Sequence, residues 1–176
     1  MKKFTLLSTA VTLFAINVIV QSCKKDDDKA EEVTEPTQFI ADNNTFADFK
    51  NWTLRTTIQG ADPAVGSLHG GNDSTVTRDV YVKNDQLPVN GTYPQGTLIV
   101  KHSYNSAGTL EEYTAMAKRG GNFNSSHNGW EWFVLKSDGS IAEDGGGKAM
   151  RGEEITSLGC RGCHTFGDTD FTFTTP

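Results

Sequence analysis

Thr97-Leu98-Ile99-Val100-Lys101-His102-Ser103 is the stretch on which the fold class turns. β-Branched and apolar residues dominate its centre, and their stiff χ1 angles suit a pleated, half-buried surface better than a helix. Side chains alternate along a strand, so Thr97, Ile99 and Lys101 share one face. Runs at 52–58, 75–83 and 130–135 have the same character, rich in Thr, Val, Ile, Tyr and Trp. Asn90-Gly91, Gly120-Gly121, Asn128-Gly129 and Asp138-Gly139 punctuate the chain, and such pairs make turns because glycine accepts positive φ without steric cost. Helix signals are few. A polar cap at Asn43-Asn44-Thr45 precedes Phe46, Phe49 and Trp52, consistent with one short amphipathic helix. Residues 153–164 can form another, loosened by Gly159 and Gly162. The expectation is an α+β, β-dominated domain: an antiparallel sheet with a few short helices.

Upstream, Met1-Lys2-Lys3-Phe4 opens a basic segment that runs into an apolar stretch from Leu6 to Val20, too short for a secure membrane span. It ends at Val20-Gln21-Ser22-Cys23 and resembles a bacterial lipoprotein signal. Residues 1–22 are then expected to be a signal peptide, with Cys23 the acylated N-terminus of the mature chain. Residues 23–44, acidic and poor in apolar side chains, read as a flexible tether. Residues 45–176 read as the domain. The lipid would anchor this domain to a membrane, because each buried methylene contributes about 0.8 kcal/mol. The expected location is extracytoplasmic, on the periplasmic face or the cell surface. Removing Lys2 and Lys3 takes the 16 basic residues to 14 against 22 acidic ones, so the formal charge moves from −6 to −8. Such a chain is no partner for nucleic acid.

Near the other end, Cys160-Arg161-Gly162-Cys163-His164 spells C-x-x-C-H, the attachment signature of a c-type haem. Two thiols at this spacing can add to the two vinyl groups of one porphyrin, and the adjoining His164 can ligate the iron. A redox dithiol would open a helix after a strand in an α/β pattern, which this chain lacks. Zinc normally takes four ligands, and no second C-x-x-C or H-x-x-x-H pair supplies them. The three cysteines of the chain are thereby used, one for lipid and two for haem. A motif at the end of a β-rich chain also departs from ordinary electron-transfer cytochromes c and from the four-helix cytochromes c′.

Taken in order, residues 96–101, Met116-Ala117-Lys118, Gly129-Trp130, Cys160 to His164 and Asp170-Phe171-Thr172-Phe173-Thr174 resemble the cytochrome P-460 family and its relatives, the cytochromes c′-beta. Trp52 and Val80-Tyr81-Val82 fit the same pattern. The resemblance implies a β-dominated fold enclosing one covalent haem c. Its iron would be held by His164, with an open site that binds or reacts with nitric oxide or hydroxylamine. It implies a haem-dependent oxidoreductase in its strongest version, an unidentified redox partner, and a homodimer. Lys101 falls where hydroxylamine-oxidising members carry a lysine cross-linked to the porphyrin; read alone, it is a strand lysine, solvated or guarding an edge. The glutamate those members place before the Gly-Trp pair has no counterpart in Ser125-Ser126-His127-Asn128, so His127 becomes the candidate proton carrier. Its plain alternative is a solvated histidine in a turn. A register shift could bring in Glu131. Met116 and Met150 could occupy a sixth iron position or simply pack the core, and His69 and His102 read as surface residues. The alternatives are an electron-transfer cytochrome with six-coordinate haem and a non-enzymatic gas-binding lipoprotein.

Overall fold

Six strands, β1 (Thr53–Gln59), β2 (Val76–Val82), β3 (Leu98–Asn105), β4 (Glu111–Lys118), β5 (Trp130–Leu135) and β6 (Arg151–Gly152), form one antiparallel sheet in chain order. The computed structural model describes residues 37–62, 65, 68–155 and 158–173. The expected signal peptide, Cys23 and most of the expected tether lie outside them. No helix among the described residues is long and apolar enough to cross a membrane. The runs expected at 52–58, 75–83, 97–103 and 130–135 are β1, β2, β3 and β5.

Strand β4 carries no such signal, because Glu111, Glu112, Ala115, Met116 and Ala117 all favour helix. Pairing on both sides overrides that preference. Its register joins Ile99↔Met116↔Trp132 in one row, Val100↔Ala115↔Phe133 in the next and Lys101↔Thr114↔Val134 in the one after.

The pleat sorts these rows onto two faces. On one, Leu98, Val100, Ala115 and Phe133 pack against Phe46, Phe49 and Trp52. On the other, Val80, Val82, Ile99, Met116 and Trp132 face Tyr93, Ile155 and the C-terminal segment. The three N-terminal aromatics are buried as expected, but on turns and a 3-10 helix, Phe49–Asn51, in place of an α-helix. Asp42 and Thr45 explain this, since the Asp42 amide donates to Thr45 Oγ1 and the Asn44 amide to Asp42 Oδ1. Such local bonds compete with the helical ladder.

Residues 37–44 belong to the folded body and not to the tether. The Phe39 amide donates to the Arg119 carbonyl at 2.9 Å, Gln95 Nε2 to the Thr37 carbonyl at 2.7 Å, and Arg151 Nη1 to the Ala41 carbonyl at 2.7 Å. Backbone bonding of this kind leaves no trace in composition. Glu131, 1% exposed, faces the N-terminal aromatics and is clamped by Arg151 Nε and Nη2 at 2.8 and 2.9 Å. No register shift brings it to the opposite face.

Gly139 gives the most specific test of this packing. Its φ is +84°, and a Cβ there would lie 2.3 Å from the Phe46 carbonyl oxygen. Backbone cannot yield as a flexible side chain can, so Gly139→Ala should destabilise the domain by about 3 kcal/mol or more. A lowered denaturant midpoint would show it.

Candidate functional site

Gly159, at φ 64°, turns the chain into α1 (Cys160–His164), a single helical turn. The helix expected over 153–164 is thus confined to the motif itself among the described residues. Cys160, Cys163 and His164 all line one cavity on the second face of the sheet.

His164 Nδ1 lies 2.7 Å from the Phe171 carbonyl oxygen. A carbonyl only accepts, so Nδ1 carries the proton and the lone pair is left on Nε2. Burial pushes the His164 ring down to about 4, so it is neutral at neutral pH. A neutral imidazole with a free Nε2 is the form that ligates a metal. Burial also pushes the Cys160 thiol up to about 11. A redox-active C-x-x-C needs the opposite shift. Neither Cys160 nor Cys163 is in a disulfide.

Three further ionisable side chains share this cavity. Lys101 lies on the β3 face that carries Ile99, and burial holds its ammonium down to about 8. Its Nζ is 5.9 Å from the Phe173 ring centroid, and that ring stands 5.4 Å from the His164 ring. Glu112 lies on the β4 face that carries Thr114 and Met116, and its Oε2 is 3.4 Å from His69 Nδ1. Facing His69 lowers the Glu112 carboxyl below the usual carboxylate range, while burial lowers His69. At neutral pH the pair is a carboxylate facing a neutral imidazole whose Nδ1 carries the proton.

His69 comes from the segment before β2. Arg78, 2% exposed, holds that segment by donating to the carbonyls of His69 (2.7 Å), Gly70 (2.9 Å) and Gly60 (3.0 Å). The sequence does not point to Glu112, and it suggests a surface place for His69, which instead lines the cavity. For Glu112 the available signal was alternation with Thr114 and Met116 along a strand that residue types disguise. For His69 there was none, because tertiary hydrogen bonds position it.

His127 is placed apart from Lys101. It is buried, yet it does not line the cavity. The turn Ser125–His127 lies between left-handed Asn124 and Asn128 and aims the ring at α1. There Nε2 lies 2.9 Å from Thr165 Oγ1 and 3.2 Å from the Arg161 carbonyl, while the ring packs 4.7 Å from Phe171. His127 braces the motif helix from behind. Met116 lines the cavity and Met150 packs beside it in the core. His102 is on the opposite face, stacked on Tyr113 at 4.3 Å.

Compared with protein-family models, curated proteins and solved structures, the chain matches none. Fold and site together define a β-dominated domain whose sheet carries, on one face, a cavity walled by the C-x-x-C-H helix and by Lys101, Glu112 and His69.

Proposed function

We propose that this domain is a covalent haem c protein of the cytochrome P-460 type, binding or reacting with nitric oxide or hydroxylamine in the cavity beside His164. One observation carries the reading. The His164 ring is tied through Nδ1 to the Phe171 carbonyl, so its Nε2 lone pair belongs to a cavity that both motif cysteines also line. The remaining wall fits a porphyrin. Val80, Ile99, Met116 and Leu158 give it apolar surface. The buried Nε1 of Trp132, which lines the cavity, has no hydrogen-bond partner among the described residues. Buried polar atoms of this kind call for a bound group.

When bound, the haem supplies an iron that takes up the small nitrogenous ligand and accepts its electrons. The protein's part is positioning and proton management. Cys160 and Cys163 fix the porphyrin covalently and His164 holds the iron. Glu112 is the base within the cavity: its carboxylate can take a proton from hydroxylamine, and His69 Nδ1–H steadies the charge beforehand. The apolar lining excludes water, which strengthens every charge interaction inside. Lys101, held at about 8, keeps a fraction of nucleophilic free amine in the cavity at neutral pH. The lipid anchor expected at Cys23 would hold this chemistry outside the cytoplasm.

An optical spectrum of protein matured with haem tests the reading. A five-coordinate high-spin haem is expected, with the ferrous Soret band displaced to the red if Lys101 is cross-linked. Lys101→Ala should then abolish the displacement and leave the haem attached. Met116, at the cavity wall, supports the second reading, a six-coordinate electron-transfer cytochrome. A low-spin spectrum that shifts on Met116→Ala would select it over the open site.

A further inference from the structure

We propose that the buried Lys118–Asp170 ion pair positions His164 and sets the electron density it gives to the iron. The inference rests on the reading of His164 as the iron ligand. Lys118 closes β4, and its Nζ is 2.6 Å from Asp170 Oδ2, with the two side chains 5% and 1% exposed. Burying two charges costs desolvation, which is offset only where further hydrogen bonds satisfy the remaining lone pairs. Asp170 has them. Oδ2 also accepts from the Tyr93 amide at 2.8 Å, and Oδ1 accepts from Asn128 Nδ2 at 2.8 Å. The Asp170 carbonyl accepts from Trp130 Nε1 at 2.7 Å.

Three separate parts of the chain before the motif thus converge on one residue, and its neighbour Phe171 supplies the carbonyl that His164 Nδ1 uses. Asp170 and Phe171 both have left-handed backbone, at φ 48° and 63°. Asp tolerates that conformation as a single residue, but in a bulky Phe it persists only when the surroundings over-determine it. The ion pair supplies the determination. A fold that needed only stability could use an apolar pair here, whereas a fixed carbonyl direction requires hydrogen bonds.

The consequence is electronic. A firm Nδ1–H···O=C bond makes the imidazole more basic at Nε2, which strengthens the iron–histidine bond and favours the oxidised iron. The test is resonance Raman and potentiometry on haem-loaded protein carrying Asp170→Asn with Lys118→Gln, a combination that leaves no charge orphaned. The expected results are an iron–histidine stretch at lower frequency and a reduction potential shifted upward, with the haem still attached. Lys118→Arg, which keeps the charge, should leave both at wild type. Asn128→Ala, which removes one exposed bond to Asp170, should shift both in the same direction by less. Wild-type frequency and potential in the folded double variant would overturn the proposal; if that variant does not fold, the same result in Asn128→Ala would. Wild-type protein that takes up no haem, or shows no iron–histidine band, would instead overturn the reading of His164.

Discussion

Serine at both Cys160 and Cys163 should abolish covalent haem attachment while leaving the sheet folded. A hydroxyl does not add to a porphyrin vinyl group under the conditions that form a thioether, so each serine removes one bond. Either single variant should retain the haem by the other sulfur. The fold should survive, because Cys160 only packs against the edge of a core built by Val80, Val82, Ile99, Met116, Trp130 and Trp132. Gel electrophoresis under denaturing conditions, followed by haem staining, reads the outcome. Signal falls from all molecules to none in the double variant. Haem that stayed with the doubly substituted chain would mean that the motif is not the attachment site.

Glu112→Gln should lower hydroxylamine turnover by roughly 10²–10⁴-fold, the usual contribution of a positioned general base. Glutamine keeps the size of the side chain and an oxygen that can accept from His69, so nitric oxide affinity and haem content should change little. That split between turnover and binding distinguishes a proton acceptor from a packing residue. The pH dependence has a definite sign. The carboxyl is lowered below its usual value by His69, so the base form persists as pH falls. The protonation that removes this base should therefore fall below the ordinary glutamate value of about 4.3. Equal turnover in wild type and Glu112→Gln would remove Glu112 from the mechanism.

The parts of this molecule that were legible in its sequence are those fixed by local chemistry. Residues 97–103 read as a strand because β-branched side chains fit a pleat. Asn90-Gly91 read as a turn because both positions need positive φ, and they have it, at 52° and 79°. The C-x-x-C-H run was legible because its spacing is short enough to be set by one helical turn. What was hidden depends on tertiary structure. Strand β4 has helix-forming residues that only two flanking strands could hold extended, and Glu112 was hidden with it. His69 reaches the cavity because Arg78 grips three carbonyls, a contact no local pattern reports. The closeness of His127 to Gly129-Trp130 in sequence points it at the cavity. The left-handed residues at Asn124 and Asn128 turn it the other way, onto the motif helix. The packing of residues 37–44 was hidden for a similar reason, since tertiary bonds to their backbone groups hold them.

The division of the sheet into two faces gives these corrections a common cause. Phe46, Phe49 and Trp52 cover one face and supply bulk stability, each fully buried aromatic contributing on the order of 2–3 kcal/mol. The other face is left for the C-terminal segment to roof, and the cavity lies between them. Every residue given a chemical role reaches that space from a strand on this face, from the segment held by Arg78, or from the motif helix. Asp170 and His127 stand behind the helix and fix where its histidine points.

The central claim is tested most directly by an alkaline pyridine spectrum, taken after acid–acetone extraction of the protein produced in a host that attaches haem c. The account predicts that the haem remains in the protein fraction with the spectrum of a thioether-linked porphyrin. Haem that passes into the acetone, or a protein fraction with no haem spectrum at all, would contradict it.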